Sequence, residues 1–553
     1  MGRLCLFVDR DHRRKGVAAV ALQGAWTALR PGTQTAGAGL NLGGAMSGEI
    51  HLGALVESAY ERRGDELTLV YEGRRIAAPE RLDAVRRLTG GLVELGVRPG
   101  DRVVVCMANG PEVEVAYGAI WRAGGVVTPV VFLLSEAELR HVLVDSGAVA
   151  VITSPELLPR VTAAAAAATE VRHVIVAGDA PARGTVRYEE LVAADPHPLV
   201  PREADDLGAL MYTGGTTGRA KGVMLSHGNL WWCGRCAYER GRDTYDGKPS
   251  LTALPLSHAF GMIVTIVGTF IEEQRGPSVL MRWFEPAAWL RLAAEHRVGA
   301  GQLVPSMLAL LLQQQVEEHD LSELTYLSVG AAPLPAAVRA EWERRVPGAA
   351  LLEGYGCTES GAVISSSTLD DRRSGSVGRP LPRYQVRVVD AAGREVPAGT
   401  DGEIWVRGPG VMTGYWNDSE TTADTLAEGW LHTGDVGHLD ADGYLWLVDR
   451  KKDLIIRSGV NVFPRDVEEV LLEHPGIAAA AVVGRPDPVR GEEVVAFVSP
   501  RPGASLDPAE VEAFAAVRLS GIHRPHDVRV VEAIPVTSVG KTDRKALRAR
   551  LVS

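Results

Sequence analysis

From Gly53 onward the chain alternates two hydrophobic rhythms. Leu82, Val85, Leu88, Leu92 and Leu95 recur every three to four residues within 81–97, which predicts a helix with one face turned to a core. Arg102–Met107 and Gly125–Phe132 are short, mostly apolar runs of the kind that form buried strands, and Glu112–Ala123 between them reads as helix. Further helices are expected at Ser135–Asp145, Ala163–Ala168, Pro286–Arg297, Pro305–Glu318 and Pro335–Arg345. Further buried strands are expected at Ala148–Thr153, His173–Ala177, Leu207–Tyr212, Thr325–Val329 and Leu351–Leu352. Such alternation predicts an α/β fold of sheets covered by helices.

After about residue 376 the texture changes. Gln385–Val389, Glu403–Val406 and Tyr444–Val448 are separated by turns such as Ala392-Gly393 and Asp442-Gly443, which predicts a small antiparallel, barrel-like β unit over about 376–449. From 450 a compact α+β pattern follows. It has helices at Arg465–Glu473, Pro508–Leu519 and near Arg544–Leu551, and strands at Ala479–Val483, Val494–Val498 and Val528–Val531. The expected division is a large domain over 46–449 and a small one over 450–553. A length of 553 residues accommodates this, at about 150 residues per folding unit. Residues 1–45 stand apart, with a basic start and a Gly/Ala/Thr-rich tract at Pro31–Ala45. They read as a disordered tail or an over-extended start ahead of Met46. A secretory signal is the weaker reading, because Gln23 and Gly24 interrupt the apolar part.

Charge narrows the function. Lys+Arg is 58 and Asp+Glu is 69, so the net charge is −11, which argues against a nucleic-acid coat or a polybasic membrane binder. Five sparse cysteines do not make a disulfide framework and suit a reducing cytosol, so a cytoplasmic location is expected. The longest apolar stretch, Phe260–Ile271, has 12 residues against the ~20 of a membrane span. Cys233-Gly-Arg-Cys236 lacks the second ligand pair that zinc needs and reads as packing.

The sharpest local feature is Met211-Tyr-Thr-Gly-Gly-Thr-Thr-Gly-Arg-Ala-Lys221-Gly222, entered by an apolar strand. Gly214, Gly215 and Gly218 let several N–H groups turn toward one anion. Thr213, Thr216 and Thr217 add hydroxyls, and Lys221 adds charge, which together make a polyphosphate cradle. It is not the Walker A loop, because Ala220 precedes the lysine and Gly222 follows it.

This loop, with the motifs below in fixed order from about 50 to 550, resembles the adenylate-forming superfamily of acyl-CoA synthetases, peptide-synthetase adenylation domains and firefly luciferase. The resemblance to acyl-CoA synthetases implies a fold with a large nucleotide-binding domain and a mobile lid. It also implies an ATP-dependent, AMP-forming acid–thiol ligase that uses Mg²⁺ and CoA, with a role in fatty acid metabolism. It carries roles onto matching positions. His258, Phe260, Val304, Met307 and Cys357 would line the acid pocket, a mainly apolar cavity. Gly330, Ala331, Gly354, Tyr355 and Gly356 would border the adenine, with the Tyr355 ring against it. Thr358 would offer its hydroxyl to the α-phosphate or carboxylate, and Glu359 its oxygen to Mg²⁺. Asp435 would accept both ribose hydroxyls, Arg450 would reach ribose or phosphate, and Lys452 would be the hinge. Lys541 would be the adenylation lysine, and Ser458 and Gly459 would border the pantetheine.

The sequence departs from the family pattern at Val460, at Thr542 and at Ile522-His523-Arg524-Pro525. The first and last bear on the thiol acceptor. CoA is the leading expectation, and the phosphopantetheine of an acyl or peptidyl carrier protein is the alternative. A luciferase-like oxygenase and a non-catalytic ATP-binding protein rank lower, the last because Lys541, Glu359 and Asp435 are all present.

Overall fold

The apolar runs assemble into two mainly parallel sheets in the computed structural model, which describes residues 50–178, 183–213, 219–241, 247–271, 276–537 and 542–552. All of the described elements lie in one unit, residues 48–553. The expectation for residues 1–45 falls outside the described residues.

The first sheet has eight strands, in the order Gly414–Tyr415, Lys221–Ser226, Leu207–Thr213, Val126–Pro129, Arg102–Cys106, Ala150–Thr153, His173–Val176 and Val186–Arg187. The second has nine, in the order Arg379–Pro380, Ser365–Ser366, Ala350–Tyr355, Tyr326–Val329, Ala300–Leu303, Ser250–Thr252, Ser278–Leu280, Leu67–Tyr71 and Arg74–Ala77. Helix Ala78–Glu94 buries Leu82, Val85, Leu88 and Leu92, the face its spacing predicts. It crosses helix Pro111–Arg122 closely at Gly118, where a Cβ would come within 3.1 Å of Val85 and 3.2 Å of Val56. Helix Glu136–Ser146 starts at a capping box in which Ser135 and Glu138 satisfy each other's N–H groups, and it stops at left-handed Gly147.

The 376–449 region is mostly one antiparallel sheet, in which Trp430–Leu439 pairs with Gly402–Arg407, Leu426–Ala427 and Leu445–Arg450. One piece leaves it, since Gly414–Tyr415 pairs with Lys221–Ser226 in the eight-stranded sheet. Beyond 450 a smaller C-terminal domain is built on Gly491–Pro500, flanked by Ile477–Asp487, Ile455–Arg457 and Asp527–Val530. Helices Pro464–Leu472 and Pro508–Arg518 pack Val467, Leu471 and Val511 onto Val482 and Val498.

Some elements differ from the pattern reading. The expected helix 305–318 ends at Leu311, and a short 3₁₀ turn follows at Val316–Glu318. The cause is Arg345, whose guanidinium takes the carbonyls of Leu312 (2.6 Å) and Gln314 (2.9 Å) that would continue the helix. The alanine run is the tail of helix Leu158–Ala165, which closes in a turn at Ala166–Ala168. Phe260–Val267 winds as a π-helix before Gly268–Ile271 returns to α. Among the described residues no helix is long and apolar enough to cross a membrane.

A buried histidine pair joins the first described helix to the rest. His51 Nδ1 accepts the N–H groups of Gly53 (2.9 Å) and Ala54 (3.3 Å), and His227 Nδ1 accepts that of Leu52 (3.2 Å). The rings lie 5.0 Å apart. Burial, then the neighbouring His51 and Arg202, pushes the His227 pKa down to about 3. A histidine depressed in the fold binds its proton first in the unfolded chain. Its contribution to stability is therefore complete above pH ~6.5 and declines as the pH falls toward 3. We expect this site alone to remove about 1.4 kcal/mol per pH unit below 6.5. Urea unfolding at stepped pH checks this, because His227→Asn, which keeps an acceptor but does not titrate, should flatten the slope. An unchanged slope would assign the acid sensitivity to other groups.

Candidate active site

Ligands of open α/β sheets collect where parallel strands end at their carboxyl side. Four neighbouring strands of the nine-stranded sheet end that way at the residues singled out above. Ser250–Thr252 leads to His258 and Phe260, Ala300–Leu303 to Val304, Tyr326–Val329 to Gly330 and Ala331, and Ala350–Tyr355 to Gly356 and the 3₁₀ turn Thr358–Ser360. His258 fixes the turn into the π-helix, accepting the Phe260 N–H on Nδ1 (3.3 Å) and the Met262 N–H on its carbonyl (2.8 Å). Side chains are excluded where these segments meet. A Cβ on Gly356 would stand 2.1 Å from the Ala362 carbonyl, and one on Gly330 would stand 3.1 Å from the Gly354 carbonyl and 3.7 Å from the Phe260 ring. Ala331 follows in the left-handed region, at φ 68°. Met307 is partly buried and packs against the core cluster that includes Leu308 and Trp342.

The eight-stranded sheet supplies a second wall. Thr213 and Lys221 face each other across the pair that brackets residues 214–218. Gly214, Gly215, Thr216, Thr217 and Gly218 lie outside the described residues. Lys221 Nζ donates to Thr421 Oγ1 (2.8 Å), stands 3.3 Å from Asp418 and lies over the Tyr415 ring. The Tyr415 hydroxyl in turn donates to Glu359 Oε1 (3.0 Å), and the Glu359 carbonyl accepts the Met412 N–H (2.8 Å). Burial and the Glu359 charge hold the Tyr415 phenol well above its ordinary pKa. One hydroxyl thus joins a strand of one sheet to the turn after a strand of the other.

The antiparallel sheet supplies the third wall. Asp435 is buried on strand Trp430–Leu439, where Oδ2 accepts the Tyr355 hydroxyl (2.6 Å) and Oδ1 forms an ion pair with Arg450 Nε (3.0 Å). A carboxylate has about four acceptor positions, so at least two remain. Burial and the Asp435 charge keep the Tyr355 phenol protonated. Arg450 lines a cavity of about 260 Å³ with Thr433, Gly434, Lys451 and Lys452.

The sequence profile of AMP-binding enzymes matches residues 56–416, and that of the AMP-binding enzyme C-terminal domain matches residues 466–541. The chain belongs to the AMP-binding enzymes. It is 38% identical over 498 residues to a feruloyl-CoA synthase of an Amycolatopsis species, covering 89% of this chain and 96% of the relative. It is 31% identical over 532 residues to a long-chain-fatty-acid–CoA ligase of Bacillus subtilis, covering 90% and 94%. Among solved structures it resembles ATP-bound MatB of Rhodopseudomonas palustris, with TM-score 0.82 and 31% identity over 90% of this chain and 98% of that one. It also resembles the amide bond synthetase McbA of Marinactinospora thermotolerans, with TM-score 0.81 and 32% identity over 90% and 99%.

In this AMP-binding enzyme the third wall runs on into the residues that precede the C-terminal family match at 466. Lys452 lies two residues beyond the end of strand Leu445–Arg450. Next to it Asp453 accepts from Arg548 (2.9 Å), and Arg465 donates to the Leu447 carbonyl (2.7 Å). Ser458 and Gly459 form a two-residue hairpin turn, both at positive φ, with Val460 exposed beside them. Buried Arg457 pairs with Glu493 and donates to the carbonyls of Gly521 and Ile522, so it pins the segment that departs from the family pattern. Lys541 lies outside the described residues. Motif reading missed Tyr415, Asp418, Thr421 and Arg457. Each matters through a partner distant in sequence, and none carries a local signature.

Proposed function

We propose that this AMP-binding enzyme activates a carboxylic acid with ATP, releases pyrophosphate, and transfers the acyl group from the adenylate to the thiol of CoA. The observation that supports this most is two linked sets of groups, Lys221–Tyr415–Glu359 and Tyr355–Asp435–Arg450, joined along the chain between Tyr355 and Glu359. They present a cation, a carboxylate for a metal, and a second carboxylate for a diol in the order of triphosphate and ribose. A carboxylate acylates poorly because oxide is a poor leaving group, and adenylation replaces it with AMP. Two anions must meet, so charge neutralisation is the central task. Thr213, Thr216, Thr217 and Lys221 would hold the β- and γ-phosphates, and Lys541 would bridge the attacking carboxylate and the α-phosphate. The adenine would lie along Gly330, Ala331 and the Gly354–Gly356 backbone. Rotation about Lys452 would then let the thiol approach.

Mg²⁺ fits the donor set. Among the described residues no three His, Cys, Asp or Glu side chains gather as a metal cage. Magnesium is commonly held by one or two carboxylates plus substrate phosphates. Glu359 would be that carboxylate, with Thr358 beside it, and the ion would supply charge neutralisation at the phosphates. Because Tyr415 orients Glu359, Tyr415→Phe should raise the Mg²⁺ concentration for half-maximal pyrophosphate release about 10-fold. A magnesium titration at saturating ATP checks this, and an unchanged midpoint would remove Tyr415 from metal binding.

The deciding assay is pyrophosphate release over a panel of acids, followed by separate trials of CoA, a phosphopantetheinylated carrier protein and a simple amine. The amine arm follows from the likeness to an amide bond synthetase. CoA-dependent thioester formation supports the proposal, and product with only the carrier or only the amine would reassign the acceptor.

A further inference from the structure

One row of side chains in the nine-stranded sheet breaks the apolar pattern. Tyr71, Leu280, Thr252, Gln302, Ser328 and Leu352 stand side by side, each paired with the next across six strands. Paired residues share a face and alternate residues point oppositely. Leu251, Leu327 and Leu351 pack on the other face with Trp289 and Trp342, so the row faces the layer that contains the π-helix. Its apolar members Tyr71 and Leu280 join Met262 and Ile263 of that helix.

The three central members are polar. Thr252 and Gln302 are 2% and 6% exposed, and Thr252 Oγ1 and Gln302 Oε1 have no hydrogen-bond partner among the described residues. Roughly nine in ten buried polar groups are paired, so two adjacent exceptions need a reason. Their place beneath the strand ends suggests one. Ser328 lies on a central strand covered by helices, yet it is partly exposed, as are Val304, Gly354 and Phe260 nearer the strand ends. The Phe260 ring stands over Gly330, two residues beyond Ser328 on the same face. The row thus lies, sealed from solvent at Thr252 and Gln302, on the face that carries Phe260 and Gly330 about 7 Å higher at ~3.3 Å per strand residue.

We infer that Gln302 and Thr252, with Ser328, bind a hydrogen-bonding group at the end of the substrate remote from its carboxylate. The substrate class is then an aryl-sized or short-chain acid bearing a distal hydroxyl or similar substituent, rather than an unsubstituted alkyl acid. This rests on the acid-activating function proposed above. A distal hydroxyl donates to the Gln302 amide oxygen and accepts from the Thr252 hydroxyl. An acid that ends in a methyl group leaves both unpaired, and sites built to hydrogen-bond a hydroxyl discriminate strongly against analogues that lack it.

The test compares matched acids by kcat/KM for pyrophosphate release, para-hydroxycinnamate against cinnamate and 5-hydroxypentanoate against pentanoate. The native enzyme should favour a hydroxylated member by at least about 10-fold. Gln302→Leu, and separately the near-isosteric Thr252→Val, should bring that ratio toward one, with folding followed by thermal midpoint. Equal use of both members by the native enzyme, or a ratio unchanged in both variants, overturns the inference and leaves acid activation standing. Absence of pyrophosphate release with every acid overturns the proposed function, and this inference with it.

Discussion

Lys541→Ala should lower pyrophosphate release by about 10²–10³-fold, the loss typical of a positioned charge-stabilising donor. The same variant should still form thioester from supplied acyl adenylate and CoA. Two of the cations on the walls are already held in place. Lys221 is held by Thr421 and Asp418, and Arg450 is held by Asp435. In the proposed function each would anchor one end of the nucleotide, Lys221 the outer phosphates and Arg450 the ribose. The carboxylate must attack between them, at the α-phosphorus, where repulsion between the anions is greatest. The proposed role of Lys541 is to supply charge there during adenylation and to leave before the thiol arrives. Pyrophosphate release and thioester formation are therefore measured as separate half-reactions. An equal loss in both would refute this division of labour.

The second large effect is expected at the ribose. Asp435→Ala should lower kcat/KM for ATP by roughly 10–100-fold, since hydrogen bonds to a charged acceptor contribute about 1.5–3 kcal/mol. Two controls separate recognition from damage. Native enzyme should lose activity on ATP that lacks a ribose hydroxyl, whereas Asp435→Ala should treat deoxy and ordinary ATP alike. Tyr355→Phe should show a smaller loss, because it keeps the ring and removes only the hydroxyl that braces Asp435. If Asp435→Ala still discriminates fully against the deoxynucleotide, the ribose contact lies elsewhere.

Much of the fold is legible in local pattern. Leu82, Val85, Leu88 and Leu92 predict their helix and bury as expected, because amphipathic spacing and burial are the same fact seen twice. The strands at Arg102–Cys106 and Ala150–Thr153 follow from apolar runs that only a sheet covered on both faces can shelter. Long-range partners break such readings. Helix 305–318 reads well by itself, and Arg345, some thirty residues later, takes its carbonyls. The site divides along the same line. Glycines at 330 and 356 mark close backbone approach, which sequence displays. Tyr415 is an ordinary tyrosine until strand pairing brings it beside Lys221 and Glu359. Gln302 looks like one polar residue between strand and helix, and only register shows that Thr252 and Ser328 stand beside it.

The hydroxyl of Tyr415 has a consequence beyond the metal. It ties an edge strand of the eight-stranded sheet to a turn on the nine-stranded one, and a bound nucleotide would run along the same seam. A substrate in that position acts as mortar between two halves of the molecule. Cohesion there would follow the energy charge of the cell, with the seam tightest when triphosphate is abundant and loosening as supply fails.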